Sequence, residues 1–218
     1  MKDRTARVAR KTKETDILIE LNLDNGKKGQ PQLSKQGQPQ SSKQGQPSSS
    51  NRGQIDTTIG FLDHMLDLFS AHSGIFLKIK AKGDTHIDDH HLVEDIGIAL
   101  GNALQQALGD KKGIARYGQV LLPMDEALCY IALDLSGRFY LSYEAKILFQ
   151  KTGFNYDLLE DFFYALSENA KMTLHIKMLK GRNNHHIAES IFKGFGRALK
   201  AAISRSNKAT IPSTKGVL

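Results

Sequence analysis

Apolar and polar residues alternate from Ala6 to Lys11 and again from Glu14 to Asp24, the two-residue period of a strand with one buried face. Further along, the period changes. From Gly60 to His72 apolar residues recur at three and four, which predicts a helix, and Ile75 to Lys82 returns to strand alternation. His90 to Leu108 is again helical. Val120 to Ala145 holds two β-rich runs joined at Ser136-Gly137-Arg138, a hairpin-like turn. The order then recurs, with a helix from about Tyr156 to Ala170, a strand from Thr173 to Met178 and a helix from His185 to Ser204.

The repetition extends to individual residues. The last helix of each set begins with adjacent histidines, His90-His91-Leu-Val-Glu94 and His185-His186-Ile-Ala-Glu189, and continues into Gly101-Asn-Ala-Leu104 and Gly196-Arg-Ala-Leu199. This pattern predicts an internal duplication with halves of about 1–110 and 111–218. The expected fold is α+β: two superposable α/β sandwich halves, with sheets on one side and helices on the other. At 218 residues the chain is long enough to bury a substantial core.

Each histidine pair carries chemistry. On a helix, His91 and Glu94 lie three apart and His90 and Glu94 four apart, so imidazole and carboxylate project from one face. Together they suit a divalent ion such as Mn, Fe or Zn. A single pair is more often a solvated surface feature; two copies with matched downstream spacing argue against coincidence. The stretch His86-Ile87-Asp88-Asp89 adds carboxylates that cap the helix or orient its ligands. Laying Phe76-Leu-Lys-Ile79 on Thr173-Leu-His-Ile176 also lays Asp63-His64 on Glu160-Asp161, adding His64 as a further imidazole and Asp161 as its carboxylate counterpart. His175 matches Lys78 and reads as a strand residue.

The net charge of +7 raises nucleic acid as a partner, and its location argues against it. Between Asn25 and Gln54, Lys27, Lys28, Lys35, Lys43 and Arg52 stand without an acid and supply five of the seven charges. That segment repeats Gly-Gln every eight residues and contains no aromatic residue for a base to stack on. Its Gln/Ser/Pro/Gly composition cannot offset the entropy of ordering, so residues 26–53 are expected to form an expanded loop inserted in the first half. A docking tail for an acidic partner is the sharper alternative. No apolar run approaches the roughly 20 residues that span a bilayer, and the N-terminus lacks a signal core. The expectation is a cytoplasmic protein with no membrane partner. Cys129 sits in an apolar stretch and reads as packing.

Several of these stretches, in order, resemble the imidazoleglycerol-phosphate dehydratase family of histidine biosynthesis. They are Gly60-Phe-Leu-Asp-His-Met-Leu66, Lys82-Gly-Asp-Thr-His-Ile-Asp-Asp-His-His91, Pro123-Met-Asp-Glu-Ala127, Asp134-Leu-Ser-Gly-Arg138, His185-His186 with Glu189, and Ile211-Pro-Ser-Thr-Lys-Gly-Val-Leu218. The resemblance covers nearly all of the chain outside 26–53. It implies a ribosomal S5 domain 2-like fold and a Mn2+-dependent hydro-lyase with two ions per subunit. The reaction converts D-erythro-1-(imidazol-4-yl)glycerol 3-phosphate to 3-(imidazol-4-yl)-2-oxopropyl phosphate and water through an imidazolate and a diazafulvene-like intermediate. It also implies a 24-subunit homo-oligomer with metal sites between subunits. Some relatives are fused to a histidinol-phosphate phosphatase; this chain, beginning almost at the dehydratase motif, is expected to be monofunctional.

Carried over by position, the ligands are His64, His90, His91, Glu94, Asp161, His185, His186 and Glu189. Asp161 departs from the pattern, since the family places a histidine there. Glu14 takes the general acid/base role, with His91 and Glu189 beside it among the catalytic groups. Glu14, His72, Arg116, Arg138, Lys193, Ser213, Thr214 and Lys215 are the implied substrate contacts, most of them for the phosphate. The paired His/Glu sets alone would also serve a dimetal hydrolase or an oxygen-using di-iron protein.

Overall fold

The computed structural model describes residues 4–24, 53–145, 153–206, 210–214 and 216. The inserted segment, apart from Gly53, lies outside the described residues. In the first half, β1 (Thr5–Lys11) and β2 (Thr15–Asn22) form an antiparallel hairpin, followed by β3 (Ile55–Asp56), α1 (Gly60–Ser73), β4 (Phe76–Gly83) and α2 (His90–Leu108). β4 pairs antiparallel with β2 and parallel with β3, giving the order β1-β2-β4-β3. The second half repeats it: β5 (Tyr117–Met124), β6 (Ala127–Asp134), β7 (Tyr140–Glu144), α3 (Leu158–Ala170), β8 (Thr173–Lys180) and α4 (Asn184–Ala202), in the order β5-β6-β8-β7. The fold is α+β with two similar halves.

One expectation is corrected. Val120 to Ala145 contains parts of three strands, and the hairpin turn is Asp125-Glu126, joining β5 to β6. Ser136-Gly137-Arg138 does not close a hairpin, because β7 crosses to the far side of β8 and runs parallel to it. Parallel neighbours need a helical crossover, which α3 supplies here and α1 supplies between β3 and β4.

The sheets bury alternate residues: Ile17, Ile19 and Leu21 on β2, and Ala127, Cys129, Ile131 and Leu133 on β6. In each half the helices cover this face as expected. α2 packs on β1 and β2, and α4 on β5 and β6; α3 in turn lies on α2 and α1 on α4. The small residues repeated in sequence mark these crossings. A Cβ at Gly101 would stand 2.6 Å from the Leu166 carbonyl oxygen on α3, and one at Gly196 2.9 Å from that of Phe69 on α1. Only glycine lets the helix backbones approach so closely.

Candidate metal centre and active site

Both histidine pairs lie in the first turns of their helices, where N–H groups lack intrahelical partners. At α4, Asn183 Oδ1 accepts from the N–H groups of His185 (2.9 Å) and His186 (3.4 Å). At α2, Asp88 Oδ1 accepts from the His90 N–H at 2.8 Å. Asp88, one residue outside the N-cap Asp89, thus satisfies the first N–H of the helix.

Helix packing decides which groups meet. Because α1 lies on α4, His64 stacks on His185 with ring centroids 5.6 Å apart. The Nε2 atoms of His64 and His185 stand 3.2 and 2.9 Å from Glu189 Oε1, while Glu189 Oε2 accepts from Lys193 Nζ. Burial raises the pKa of Glu189, but hydrogen bonds from Lys193, His64 and His185 outweigh it and bring the group down to about 2.

The other half has the matching contact. Because α3 lies on α2, Asp161 Oδ2 stands 3.5 Å from His90 Nδ1, as His64 stands beside His185, and Glu94 Oε2 lies 3.9 Å from His90 Nε2. These acids approach opposite nitrogens of one ring, so the group is more open than the first. In the first, one ligand atom each of His64, His185 and Glu189 lie within 4.8 Å of one another.

His91 and His186 face elsewhere, toward the hairpin turns of their own halves. His91 Nδ1 is 3.0 Å from Asp84 Oδ2 and 4.0 Å from Glu14 Oε2. His186 Nδ1 is 2.7 Å from Glu126 Oε2, and its Nε2 is 3.7 Å from Asp125. The hydrogen bond to its carboxylate raises the pKa of each imidazole. That from His186, reinforced by backbone N–H groups, lowers Glu126 to about 2. An Nδ1–H donated to a carboxylate leaves Nε2 as the free ligand atom.

The turn bearing Glu14 is tied to α2, the helix that carries the first histidine pair. Thr12 Oγ1 accepts the N–H groups of Glu14 (3.0 Å) and Thr15 (2.9 Å), and Thr15 Oγ1 donates to the buried Asp95, next to Glu94, at 2.5 Å. Arg10 holds the other Asp95 oxygen at 2.7 Å.

The predicted substrate contacts divide into groups. His72, in the last turn of α1, faces α4; burial and then the cations Lys193, Arg197 and Lys200 lower its pKa. His72 and Lys193 are therefore together beside Glu189. Arg116, whose backbone is left-handed at φ 76°, is engaged with Asp134 (2.6 and 3.0 Å) and the Pro212 carbonyl oxygen (2.9 Å), which anchors the segment carrying Ser213 and Thr214. Arg138 is exposed after β6, and among the described residues its side chain makes no bond to either group. Lys215 lies outside the described residues.

Asp84 and Glu126 were not among the expected site residues, although both lie in the motifs above. The signal for Glu126 is internal symmetry: it stands five residues before Ile131, as Glu14 stands five before Ile19. Ile131 and Ile19 pair with Ile176 and Ile79, the positions matched between halves.

Imidazole nitrogens and carboxylate oxygens converging this closely form a donor set that fits a first-row divalent ion. Asp84 Oδ1, buried without a hydrogen-bond partner among the described residues, is a further acceptor at the second such group, Glu14, Asp84 and His91.

Fold and site together define an internally duplicated α+β enzyme with imidazole–carboxylate groups at paired helix starts. Residues 57–199 match the family model of imidazoleglycerol-phosphate dehydratase. The chain is 64% identical to the imidazoleglycerol-phosphate dehydratase of Endomicrobium trichonymphae over the full length of both, and 50% identical to that of Desulforamulus reducens, again over both. It is also similar to the crystal structure of the Staphylococcus aureus imidazoleglycerol-phosphate dehydratase (38% identity, TM-score 0.74, 93% of this chain and 99% of that one). A Pyrococcus furiosus structure in complex with (S)-C348 matches at 37% identity and TM-score 0.76, covering 97% and 100%. The chain belongs to the imidazoleglycerol-phosphate dehydratase family, hydro-lyases of histidine biosynthesis. No described helix is long and apolar enough to cross a membrane.

Proposed function

We propose that this protein dehydrates D-erythro-1-(imidazol-4-yl)glycerol 3-phosphate to 3-(imidazol-4-yl)-2-oxopropyl phosphate in the cytoplasm, as a Mn2+-dependent homo-oligomer of 24 subunits. The observation that carries the metal reading is the convergence of His64, His185 and Glu189, with Lys193 on the second oxygen of Glu189. When bound, the ions supply Lewis acidity to the substrate's imidazole ring, which stabilises negative charge as the neighbouring C–H proton leaves.

The ligands divide by packing. His64, His185 and Glu189 serve one ion and Asp161, His90 and Glu94 the other. His91 and His186, turned away from both groups of their own chain, complete sites on neighbouring subunits. Glu14, braced through Thr12, Thr15 and Asp95, takes the proton and returns it to the leaving hydroxyl. Lys193 and His72 meet the phosphate from α4 and α1. Arg116 holds the terminal segment with Ser213 and Thr214 for the same anion, and Arg138 and Lys215 add donors.

The test is turnover by metal-stripped protein with Mn2+ added back and counted. Activity restored at about two ions per chain is expected. Metal binding without turnover would favour the dimetal hydrolase reading; absence of metal binding would remove the ligand set.

A further inference from the structure

The two halves solve the same problem with different residues. Each hairpin tip presents a glutamate toward the second histidine of its half, Glu14 toward His91 and Glu126 toward His186. The distances differ, at 4.0 Å and 2.7 Å. The cause lies at the end of the neighbouring strand. Lys82-Gly83-Asp84 carries the chain out of the end of β4, and Lys180-Gly181-Arg182 occupies the same place at the end of β8, where the β6–β8 pairing absorbs one extra residue. Asp84 therefore has Arg182 as its counterpart. A carboxylate accepts the Nδ1–H of His91, whereas a guanidinium has no acceptor to offer His186.

In the first half Asp84 takes the imidazole at 3.0 Å, and the hairpin glutamate stands back with no hydrogen bond to the ring. In the second half Glu126 takes the imidazole itself. Its other oxygen receives the N–H groups of Asn183 (2.9 Å) and Arg182 (3.4 Å), so both oxygens are committed. Asn183 in turn caps the turn that carries His185 and His186.

We infer that Asp84 and Glu126 are positioning residues that hold His91 and His186 with Nε2 presented to an ion, and that Asp84 keeps Glu14 free for proton transfer. The duplication thus yields one carboxylate for chemistry from two equivalent glutamates, because only the first half has an acid after its Lys-Gly. This rests on the proposed ligand roles of His91 and His186.

The experiment measures Mn2+ affinity by chelator competition, with melting temperature, kcat and KM, for Glu126→Ala, Glu126→Gln, Asp84→Ala and Asp84→Asn in the full chain. Loss of an orienting partner typically weakens metal affinity by about 10–100-fold. Glu126→Ala and Asp84→Ala should each weaken one class of ion by that amount. Gln and Asn retain a carbonyl acceptor for Nδ1–H and should recover most of the loss, a rescue that a purely structural role would not track. Asp84→Ala alone should also lower kcat at saturating Mn2+, since Glu14 is then drawn onto His91, while Glu126→Ala should recover kcat once saturated.

If wild-type protein holds no Mn2+, the ligand reading itself fails. If wild type holds its ions and the alanine variants hold them equally tightly, the positioning role alone fails. Equal kcat for saturated Asp84→Ala and wild type would overturn the account of Glu14. Should an alanine variant not assemble, Gln and Asn carry the test: each still predicts a loss of a few-fold in affinity, and wild-type affinity in both would refute it.

Discussion

Two residues illustrate how charge is allotted. Asp24, in the turn after β2, is held between Arg4 (2.8 Å) and Arg205 (3.0 Å), and Arg4 also donates to the Ile203 carbonyl oxygen at 2.8 Å. The start of the first sheet is thereby fastened to the end of α4. The hydrogen bonds from Arg4 hold the Asp24 carboxyl well below the usual carboxylate range, against the opposing effect of burial. Because its folded pKa is depressed, this group contributes stability that is complete above the ordinary value of 3.8 and is lost as pH falls below it. Asp24→Asn should lower the melting temperature at pH 7 and narrow its gap to wild type at pH 3; an undiminished gap would mean that charge is not what Asp24 contributes. Asp161 makes the second case. Asp161→Ala should weaken retention of one Mn2+ while the other is held normally, and unchanged metal content by elemental analysis would remove it from the ligand set.

Among the elements, the helix crossings control which ligands meet. A methyl group at Gly101 would lie 2.6 Å from the Leu166 carbonyl oxygen and 2.8 Å from Asn169 Cβ, both on α3. Gly101→Ala should therefore push α2 from α3 at a cost of about 1–3 kcal/mol, read as a lower melting temperature, and should loosen any Mn2+ held at the proposed His90–Asp161 site. Gly118→Ala is a harsher case, with the Ala198 carbonyl oxygen 1.9 Å from the new carbon. The matched Gly-x-Ala-Leu segments were legible in sequence as a repeat; their reason, backbone contact across helix pairs, was not. Strand periodicity likewise located β2, β4 and β8, since one face of each is buried. It could not order the strands, because alternation records which face is covered and says nothing of which neighbour is paired. That is why Ser136-Gly137-Arg138 read as a hairpin. The imidazole and carboxylate pairing within each helix was readable from helix spacing, and the meeting of His64 with Glu189, 125 positions apart, required the packing of α1 on α4.

For the whole molecule, the proposed ligand set implies that one chain supplies unfinished sites. His64, His185 and Glu189 form a three-donor group, and His90, Glu94 and Asp161 a looser one, while His91 and His186 point to Asp84 and Glu126 in their own chain. If each ion draws its remaining imidazole from a neighbour, metal binding and assembly are one equilibrium: an ion that binds only the assembled form stabilises it by RT ln(1 + [L]/Kd), about 2.7 kcal/mol at a hundredfold excess over Kd. Chelation should then shift the oligomer toward smaller species and lower its melting temperature, with both restored by Mn2+, as read by light scattering and thermal melts. His186→Ala should mimic chelation at only one class of site, leaving the other ion bound and the assembly partly weakened. An oligomer of unchanged mass and melting temperature after both ions are stripped would separate assembly from metal and place all the ligands of each ion within a single chain.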